Sequence, residues 1–226
     1  MARHCWFSPF ARVAACVAAL VLALAAHAPA AAQGPLNHDQ AVRALDHAQA
    51  ARRLEGMVRL ADIGTAADSD VALARLRDDD PLLRRFAVGL VWRVWGRSGD
   101  AAIDTLYEQG VDLMQAGELP KAVLLFSDII AKRPQFAEAW NKRATVFYML
   151  DQYDLSMKDC DEVLKRVPQH FGALSGYAQM LSERGQPDRA LEFFERAYKV
   201  NPNMANAELV IQDLRQQIEA KRKKST

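Results

Sequence analysis

Residues that often carry metal chemistry are thinly spread along this chain of 226 residues. Beyond residue 33 the histidines are His38, His47 and His170. None of them has a second metal-ligating residue three or four positions away, and no pair of cysteines accompanies them. A zinc site needs such closely spaced ligands. The sequence therefore predicts neither a metal centre nor a metal cofactor.

The two residues that invite comparison with nucleophiles are Ser175 and Cys160. Ser175 lies in a glycine-flanked run, residues 172–176, but one place away from the serine of a G-x-S-x-G elbow and inside a predicted helix. Cys160 falls at an apolar position with no basic neighbour, which predicts a buried and unreactive thiol. No phosphate-binding loop is present either. These residues indicate a protein that is not an enzyme and uses no cofactor.

The elements that would position any site follow a repeat in the second half of the chain. Ile103–Phe136, Ala137–His170 and Phe171–Met204 align without a gap. The aligned columns are Leu106/Trp140/Leu174, Gly110/Ala144/Ala178, Leu113/Phe147/Leu181, Ala122/Ser156/Ala190, Phe126/Cys160/Phe194, Ile129/Val163/Ala197 and Pro134/Pro168/Pro202. A period of about 34 residues predicts a solenoid of helical hairpins, in which neighbouring units must stack to bury their apolar faces.

These columns resemble the tetratricopeptide repeat, of an exported bacterial type. The second unit matches best, with the family's large, small, aromatic and closing proline positions at Trp140, Ala144, Phe147, Tyr153 and Pro168. The departures from the family pattern are Ser156, Cys160 and Pro187. The resemblance implies an all-α, right-handed solenoid of three hairpins, residues 103–136, 137–170 and 171–204. It also implies a concave surface that receives another polypeptide.

In that family the first helix of each hairpin lines the concave groove. The resemblance implies a partner-binding groove at Tyr107, Val111, Met114, Asn141, Thr145, Tyr148, Met149, Ser175 and Gln179. Tyrosine and methionine offer adaptable apolar contact, and the amides offer hydrogen bonds to a peptide backbone. Some chaperone-binding members hold a carboxyl terminus with lysine, asparagine and arginine. Here those places hold Tyr107, Val111, Gly172 and Gly176, so that specificity is not expected.

Residues 33–100 precede the repeats and are predicted to be helical. The predicted helices are His38–Asp62, Asp70–Arg77 and Pro81–Arg97, the last with Asp80 as its N-cap. Extending the repeat phase backwards would put Pro81 inside a first helix at a cost of about 3 kcal/mol. We therefore expect an N-terminal cap over the exposed face of the first repeat, and a C-terminal capping helix at Ala205–Lys221 with a basic tail to residue 226.

The helix that carries Trp92 and Trp95 is apolar on nearly every side, so it must be covered from more than one direction. We expect it to lie between the N-terminal helix and the first repeat. Alternatively, this helix or the convex face packs into a homo-oligomer or a larger complex.

The first 32 residues have the features of a secretory signal peptide. Arg3 and Arg12 precede an apolar run, Val13–Ala26, and small residues lead to Ala32, after which we expect cleavage. An uncleaved membrane anchor and organelle targeting remain alternatives. Removing the two arginines from 29 basic residues leaves 27 against 28 acidic residues, so no global charge attracts nucleic acid.

The sequence thus predicts a non-enzymatic, periplasmic or secreted adaptor or assembly factor that binds a segment of a partner protein. No membrane span is expected to remain after cleavage. The partner itself, and the oligomeric state, are not encoded in any pattern of the sequence.

Overall fold

The computed structural model describes residues 34–224, so the predicted signal peptide, residues 1–32, lies outside the described part. The chain divides into two units, Met1–Leu36 and Asn37–Thr226. Of the first unit only residues 34–36 are described, and they form neither helix nor strand. All that follows concerns the second unit.

The second unit is all-α over its described residues and contains no strand there. Its α-helices are α1 His38–Ala44, α2 Ala50–Ile63, α3 Ser69–Ala74, α4 Pro81–Trp95, α5 Ala101–Gln115, α6 Leu119–Lys132, α7 Ala137–Met149, α8 Tyr153–Arg166, α9 Phe171–Glu183, α10 Pro187–Val200 and α11 Ala207–Lys224. Two short 3-10 turns, Ala66–Asp68 and Arg75–Arg77, flank α3. This architecture confirms the predicted helical solenoid.

Three consecutive hairpins, α5–α6, α7–α8 and α9–α10, form the solenoid. Each second helix packs against the first helix of the next hairpin, and the first helices α5, α7 and α9 also contact one another. The turns within the three hairpins contain Gly117, Asp151 and Gly185, whose φ values are 76°, 58° and 68°. That left-handed backbone, cheap for glycine and tolerable for aspartate, reverses the chain within each hairpin.

Several of the aligned columns lie in the core, as the period predicts. Phe126, Cys160 and Phe194 are all buried, and so are the small residues that open each second helix. Gly110 shows why its column must stay small: a Cβ there would lie 2.7 Å from the Phe126 ring. Close approach of the two helices in a hairpin therefore depends on that glycine.

The segment predicted as one helix, His38–Asp62, is broken into α1 and α2. The break exposes backbone carbonyls, and the Arg53 guanidinium donates to two of them, His47 O and Ala48 O, each at 3.0 Å. Arg53 also makes two 2.8 Å hydrogen bonds to the carboxylate of Asp78. The apolar spacing continues across the break, so periodicity alone predicts a continuous helix.

The other predicted boundaries are close to those observed. The Asp80 side chain accepts a 2.7 Å hydrogen bond from Leu82 N and caps α4, as predicted, with Pro81 at its first position. Pro187, expected in the inter-helix turn, begins α10 instead. There its fixed φ and missing N–H cost nothing, because the first helical N–H groups have no intrahelical partner.

Helix α4 packs against α2, as expected, but its position relative to the repeats differs from the prediction. We predicted contact with the first repeat, whereas the rings of Trp92 and Trp95 each lie 5.1 Å from the Phe171 ring in the third repeat. Asn203, near the end of that repeat, donates to Leu76 O at 2.8 Å, which connects the segment before α4 to the third repeat. The N-terminal region therefore reaches the third repeat and does not only cap the first.

Candidate protein-binding groove

The candidate site is the inner face, which we define as the side of α5, α7 and α9 that carries the predicted groove residues. Two hydrogen bonds connect neighbouring first helices, one near their amino-terminal ends and one near their carboxyl-terminal ends. Tyr107 of α5 reaches Glu138 of α7, and Tyr148 of α7 reaches Glu183 of α9. The first contact marks the amino-terminal turns and the second the carboxyl-terminal turns. We call these two regions the covered half and the open half.

The covered half is filled by α4. The Trp95 ring, only 2% exposed, stacks on the His170 ring with centroids 4.0 Å apart. Trp92 makes edge contacts with Trp95 and Phe171, and Lys142 Nζ lies 5.5 Å from its ring centroid. A tryptophan face attracts such a cation through its quadrupole. Part of the predicted groove is thus occupied by the chain's own helix.

Beneath the tryptophans lies a buried polar network centred on Glu138, whose side chain is 1% exposed. The Glu138 carboxylate is 2.9 Å from His170 Nε2 and 3.1 Å from Lys142 Nζ, and it accepts from Asn141 Nδ2 at 3.1 Å. The hydroxyl of Tyr107 is 3.4 Å away. Buried charges survive in proteins when they are paired and fully hydrogen-bonded, and this one is.

The hydrogen bonds fix the His170 tautomer. His170 is the N-cap of α9, and its Nδ1 accepts a 3.0 Å hydrogen bond from Ala173 N. Nδ1 is therefore unprotonated, and Nε2 carries the hydrogen that points to Glu138. Burial would by itself raise the pKa of Glu138. Lys142 and His170 outweigh burial and lower that pKa to about 2, so Glu138 stays ionised.

Four of the predicted groove residues are buried or half-buried beside α4 or within their own helices. Tyr107 and Asn141 are buried in the Glu138 network. Ser175 is half-buried, and its hydroxyl donates to Gly172 O within its own helix at 3.0 Å. Thr145 likewise donates to Asn141 O at 3.0 Å. The resemblance did not predict that α4 packs against the amino-terminal end of α9 on this face.

Val111 and Met114 lie further along α5 and are half-buried. Both pack against the core cluster that includes Phe126 and Tyr107. Their remaining exposed surface continues the inner face away from α4. They fit the prediction of an apolar groove wall only in part, because much of each side chain serves the core.

The open half contains Tyr148, Met149 and Gln179 together with Glu183. Met149 is 48% exposed. The Tyr148 hydroxyl donates to Glu183 Oε1 at 2.7 Å and accepts from Gln179 Nε2 at 2.6 Å. Tyr148 also stacks on Tyr153, with ring centroids 5.6 Å apart, and a hydrogen bond to Glu183 raises the pKa of Tyr153 to about 12. Two tyrosines, an amide and a carboxylate thus form a connected surface.

Gln179 is 5% exposed, and within residues 34–224 no donor reaches its buried Oε1. Helix α11 extends the same surface. Ser182 Oγ donates to Gln217 Oε1 at 3.2 Å, and Gln217 Nε2 donates to Asp213 Oδ2 at 2.7 Å. The open half therefore runs from α7 across α9 to α11.

The sequence patterns did not predict the network of Glu138 and His170. The two residues are 32 positions apart, close to one repeat length. Glycines at 172 and 176 were the available signal, since small residues at groove positions admit a bulky side chain. A Cβ on Gly172 would lie 2.4 Å from the Trp92 ring.

The part of the chain that the structure describes contains no cluster of three or more histidine, cysteine or acidic side chains able to hold a metal ion. Between residues 34 and 224, no helix is both long enough and apolar enough to cross a membrane.

Comparison with known proteins places the repeats in a family. Residues 107–170 and 158–206 match the model of the tetratricopeptide repeat, which confirms the resemblance over these residues. A TPR repeat-containing protein of Rhizobium etli is 37% identical over 108 residues, which are 48% of this chain and 53% of that protein. The match thus spans about half the length of that curated relative.

Solved structures show the same fold at low identity. The first TPR domain of human RPAP3 has a TM-score of 0.51 at 17% identity, covering 54% of this chain and 95% of that one. The first TPR of Spaghetti (RPAP3), bound to an HSP90 peptide, has a TM-score of 0.50 at 17% identity, with coverages of 52% and 93%. The Sgt2 TPR domain from Aspergillus fumigatus has a TM-score of 0.51 at 17% identity, covering 55% and 83%.

Proposed function

We propose that this chain is a non-enzymatic protein-interaction module of the cell envelope, an adaptor or assembly factor that holds a segment of a partner protein in its open half. The observation that carries the proposal is the inner face itself. One half is filled by α4, and the other presents Met149, Tyr148 and Glu183 with no described segment across them. A domain of the same fold, the first TPR of Spaghetti, is bound to a peptide.

The covered half argues for a short contact surface. Helix α4 excludes a partner from the amino-terminal turns, so the segment meets only the carboxyl-terminal turns of the first helices. Tyr107 and Gly172, two places where some relatives hold a carboxyl terminus, lie against Glu138 and Trp92. This arrangement supports recognition of an internal segment of the partner over recognition of its last residues.

A photo-crosslinking experiment in the native cells tests this proposal. A photoreactive amino acid replaces Met149 in one strain and Lys158, exposed on the second helix α8, in a control strain. We expect a discrete adduct from position 149 alone. An adduct from position 158 with none from position 149 contradicts groove binding.

The envelope location is supported by the leader composition of residues 1–32. Cell fractionation with amino-terminal sequencing tests it separately. We expect a periplasmic chain that begins at Gln33. A cytoplasmic chain that retains Arg3 and Arg12 contradicts the location, while the groove proposal stands or falls on the crosslink.

The second candidate function is that of a structural subunit. Such a subunit would associate through the Trp92/Trp95 helix or through the convex face. Trp92 and Trp95 pack on Phe171 and His170 of the same chain, which argues against the first surface. The convex face retains support, because Leu124 of α6 is 71% exposed and Leu155 of α8 is 42% exposed. Light scattering that shows a monomer at micromolar concentration would remove this candidate.

A further inference from the structure

The open half offers hydrogen-bond acceptors and negative charge. The carboxylate of Glu183 accepts from the hydroxyl of Tyr148 and from the amide of Gln179, both of them neutral donors. The carboxylate of Asp213 accepts from the amide of Gln217. Within residues 34–224, neither carboxylate has a cationic side chain within 4.0 Å among the ion pairs of the structure. Two negative charges thus remain uncompensated on one surface.

The cations nearest to this surface along the chain are engaged elsewhere. Arg184, next to Glu183, pairs with Asp154 at 2.7 Å. Lys142 on α7 pairs with Glu138 in the covered half. Lys221 on α11 donates to Gly185 O at 3.1 Å. Each of these three cations has another partner, and none of them forms an ion pair of the described residues with Glu183 or Asp213.

A second observation indicates what kind of group is missing. Gln179 Oε1 is a buried acceptor that no donor reaches within residues 34–224, while Nε2 of the same amide contacts the Tyr148 hydroxyl and the Glu183 carboxylate. A buried acceptor without a donor loses the hydrogen bonds that it would make in water, so a donor that reaches it stabilises the structure. The unmet requirement at this surface is for N–H groups and positive charge.

We propose that the segment held in the open half is a basic peptide. Its lysine or arginine side chains pair with Glu183 and Asp213, and an apolar side chain beside them packs on the exposed part of Met149. The inference rests on the proposed function, because it names the chemistry of the partner for that same surface. Charge complementarity of this kind sets both the rate of encounter and the choice of partner.

Selection of binders from a random library of 12-residue peptides tests the inference. The target is the full chain, purified from cells that express it. The readout is the net charge of the enriched peptides and their affinity by fluorescence anisotropy. We expect enrichment of peptides with two or more lysines or arginines. We also expect weaker binding at higher salt, because exposed charge pairs are screened.

The matched variants are Glu183→Gln with Asp213→Asn, compared with Glu192→Gln and Glu219→Gln on exposed positions of α10 and α11. Both pairs remove two negative charges. We expect the first pair of substitutions to lower the affinity for the enriched peptides by about fivefold, which is the effect of losing two partly exposed ion pairs. The second pair should leave the affinity unchanged.

Three results overturn the inference. In the first, the enriched peptides are acidic or neutral and still block the crosslink from a photoreactive amino acid at position 149. That result excludes a basic segment and leaves the proposed function intact. Equal affinity for the wild type and the Glu183→Gln, Asp213→Asn variant does the same. A library that yields no binder contradicts both the inference and the groove proposal.

Discussion

At the scale of single residues, Glu138 links the repeats to the N-terminal region. Its carboxylate interacts with Lys142 of α7 and with His170, and the two tryptophans of α4 pack on that histidine. An ionised carboxylate this deeply buried is tolerated only while its partners hold their positions. The energetic consequence is that protonating one side chain weakens the contact between distant parts of the chain.

The pH dependence of stability follows from the pKa of Glu138. Its folded value, about 2, lies below its ordinary value of 4.5. The stabilisation is therefore fully present above pH 4.5 and is lost as the pH falls from 4.5 to 2. We expect the free energy of unfolding, measured in urea, to fall by about 3 kcal/mol more over this range in wild type than in Glu138→Gln.

The control for this prediction is Glu108→Gln, at an exposed position of α5. It should show the same acid-dependent loss as the wild type. Parallel stability curves for the wild type and Glu138→Gln would mean that Glu138 gains nothing from its partners.

Cys160 provides a second prediction at this scale. Burial raises the pKa of its thiol far above the ordinary value, and nearby Asp159 and Asp161 add to the effect. Since the thiolate is the reactive form, labelling must wait for local opening of the fold. We expect iodoacetamide to modify Cys160 ~100-fold more slowly in the native chain than in denaturant, as measured by peptide mass spectrometry. Equal rates would contradict the buried position.

At the scale of elements, the contact between α4 and α9 depends on the absence of a side chain at Gly172. A Cβ there would lie 2.4 Å from a Trp92 ring atom, and that ring is held by Trp95 and Phe171. We expect Gly172→Ala to destabilise the fold by about 2 kcal/mol through overpacking, despite the better helix propensity of alanine. Thermal or urea unfolding measures the effect.

Gly89 in α4 is the matched control, because nothing lies within 4 Å of a Cβ placed there. Gly89→Ala should stabilise the chain by about 0.5–1 kcal/mol through helix propensity alone. If both alanine variants are stabilised, α4 does not press against α9 in solution.

Local elements could be predicted from the sequence because each is specified by neighbouring residues. The left-handed turns at Gly117, Asp151 and Gly185 and the N-cap at Asp80 are of this kind. The break between α1 and α2 was missed because the side chain of Arg53, bound to Asp78, satisfies the carbonyls exposed there. Periodicity reports which residues are apolar, and it carries no information about such long-range hydrogen bonds.

The candidate site was predictable only in part for the same reason. Repeat phase assigns Tyr107, Asn141 and Tyr148 to the inner face, and their contact with a partner stays a prediction. The all-round apolarity of α4 indicated that Trp92 and Trp95 needed cover from two sides. Which surface supplies that cover depends on a contact between residues 92 and 171, nearly 80 positions apart, and no pattern in one sequence encodes it.

At the scale of the whole molecule, the N-terminal region and the third repeat should open together. Trp95 is buried against His170 and Phe171, so Trp95→Ala leaves a large cavity at their junction and should cost about 3–5 kcal/mol. We expect hydrogen exchange, followed by mass spectrometry, to accelerate in α4 and α9 alike. Leu209→Ala, at a 63% exposed position of α11, should leave both unchanged. Acceleration confined to α4 would show that the two regions unfold independently.

Helix α4 also bears on the mechanics of the array. In a helical solenoid in which each hairpin contacts only its neighbours, the curvature of the array can vary. Here α4 acts as a brace: it directly precedes the first hairpin in the chain, and its Trp92 and Trp95 contact Phe171 at the beginning of the third hairpin. The brace fixes the curvature before any partner arrives. A partner that fits this curvature then avoids the cost of ordering the groove, and one that requires a different curvature is rejected by stiffness alone.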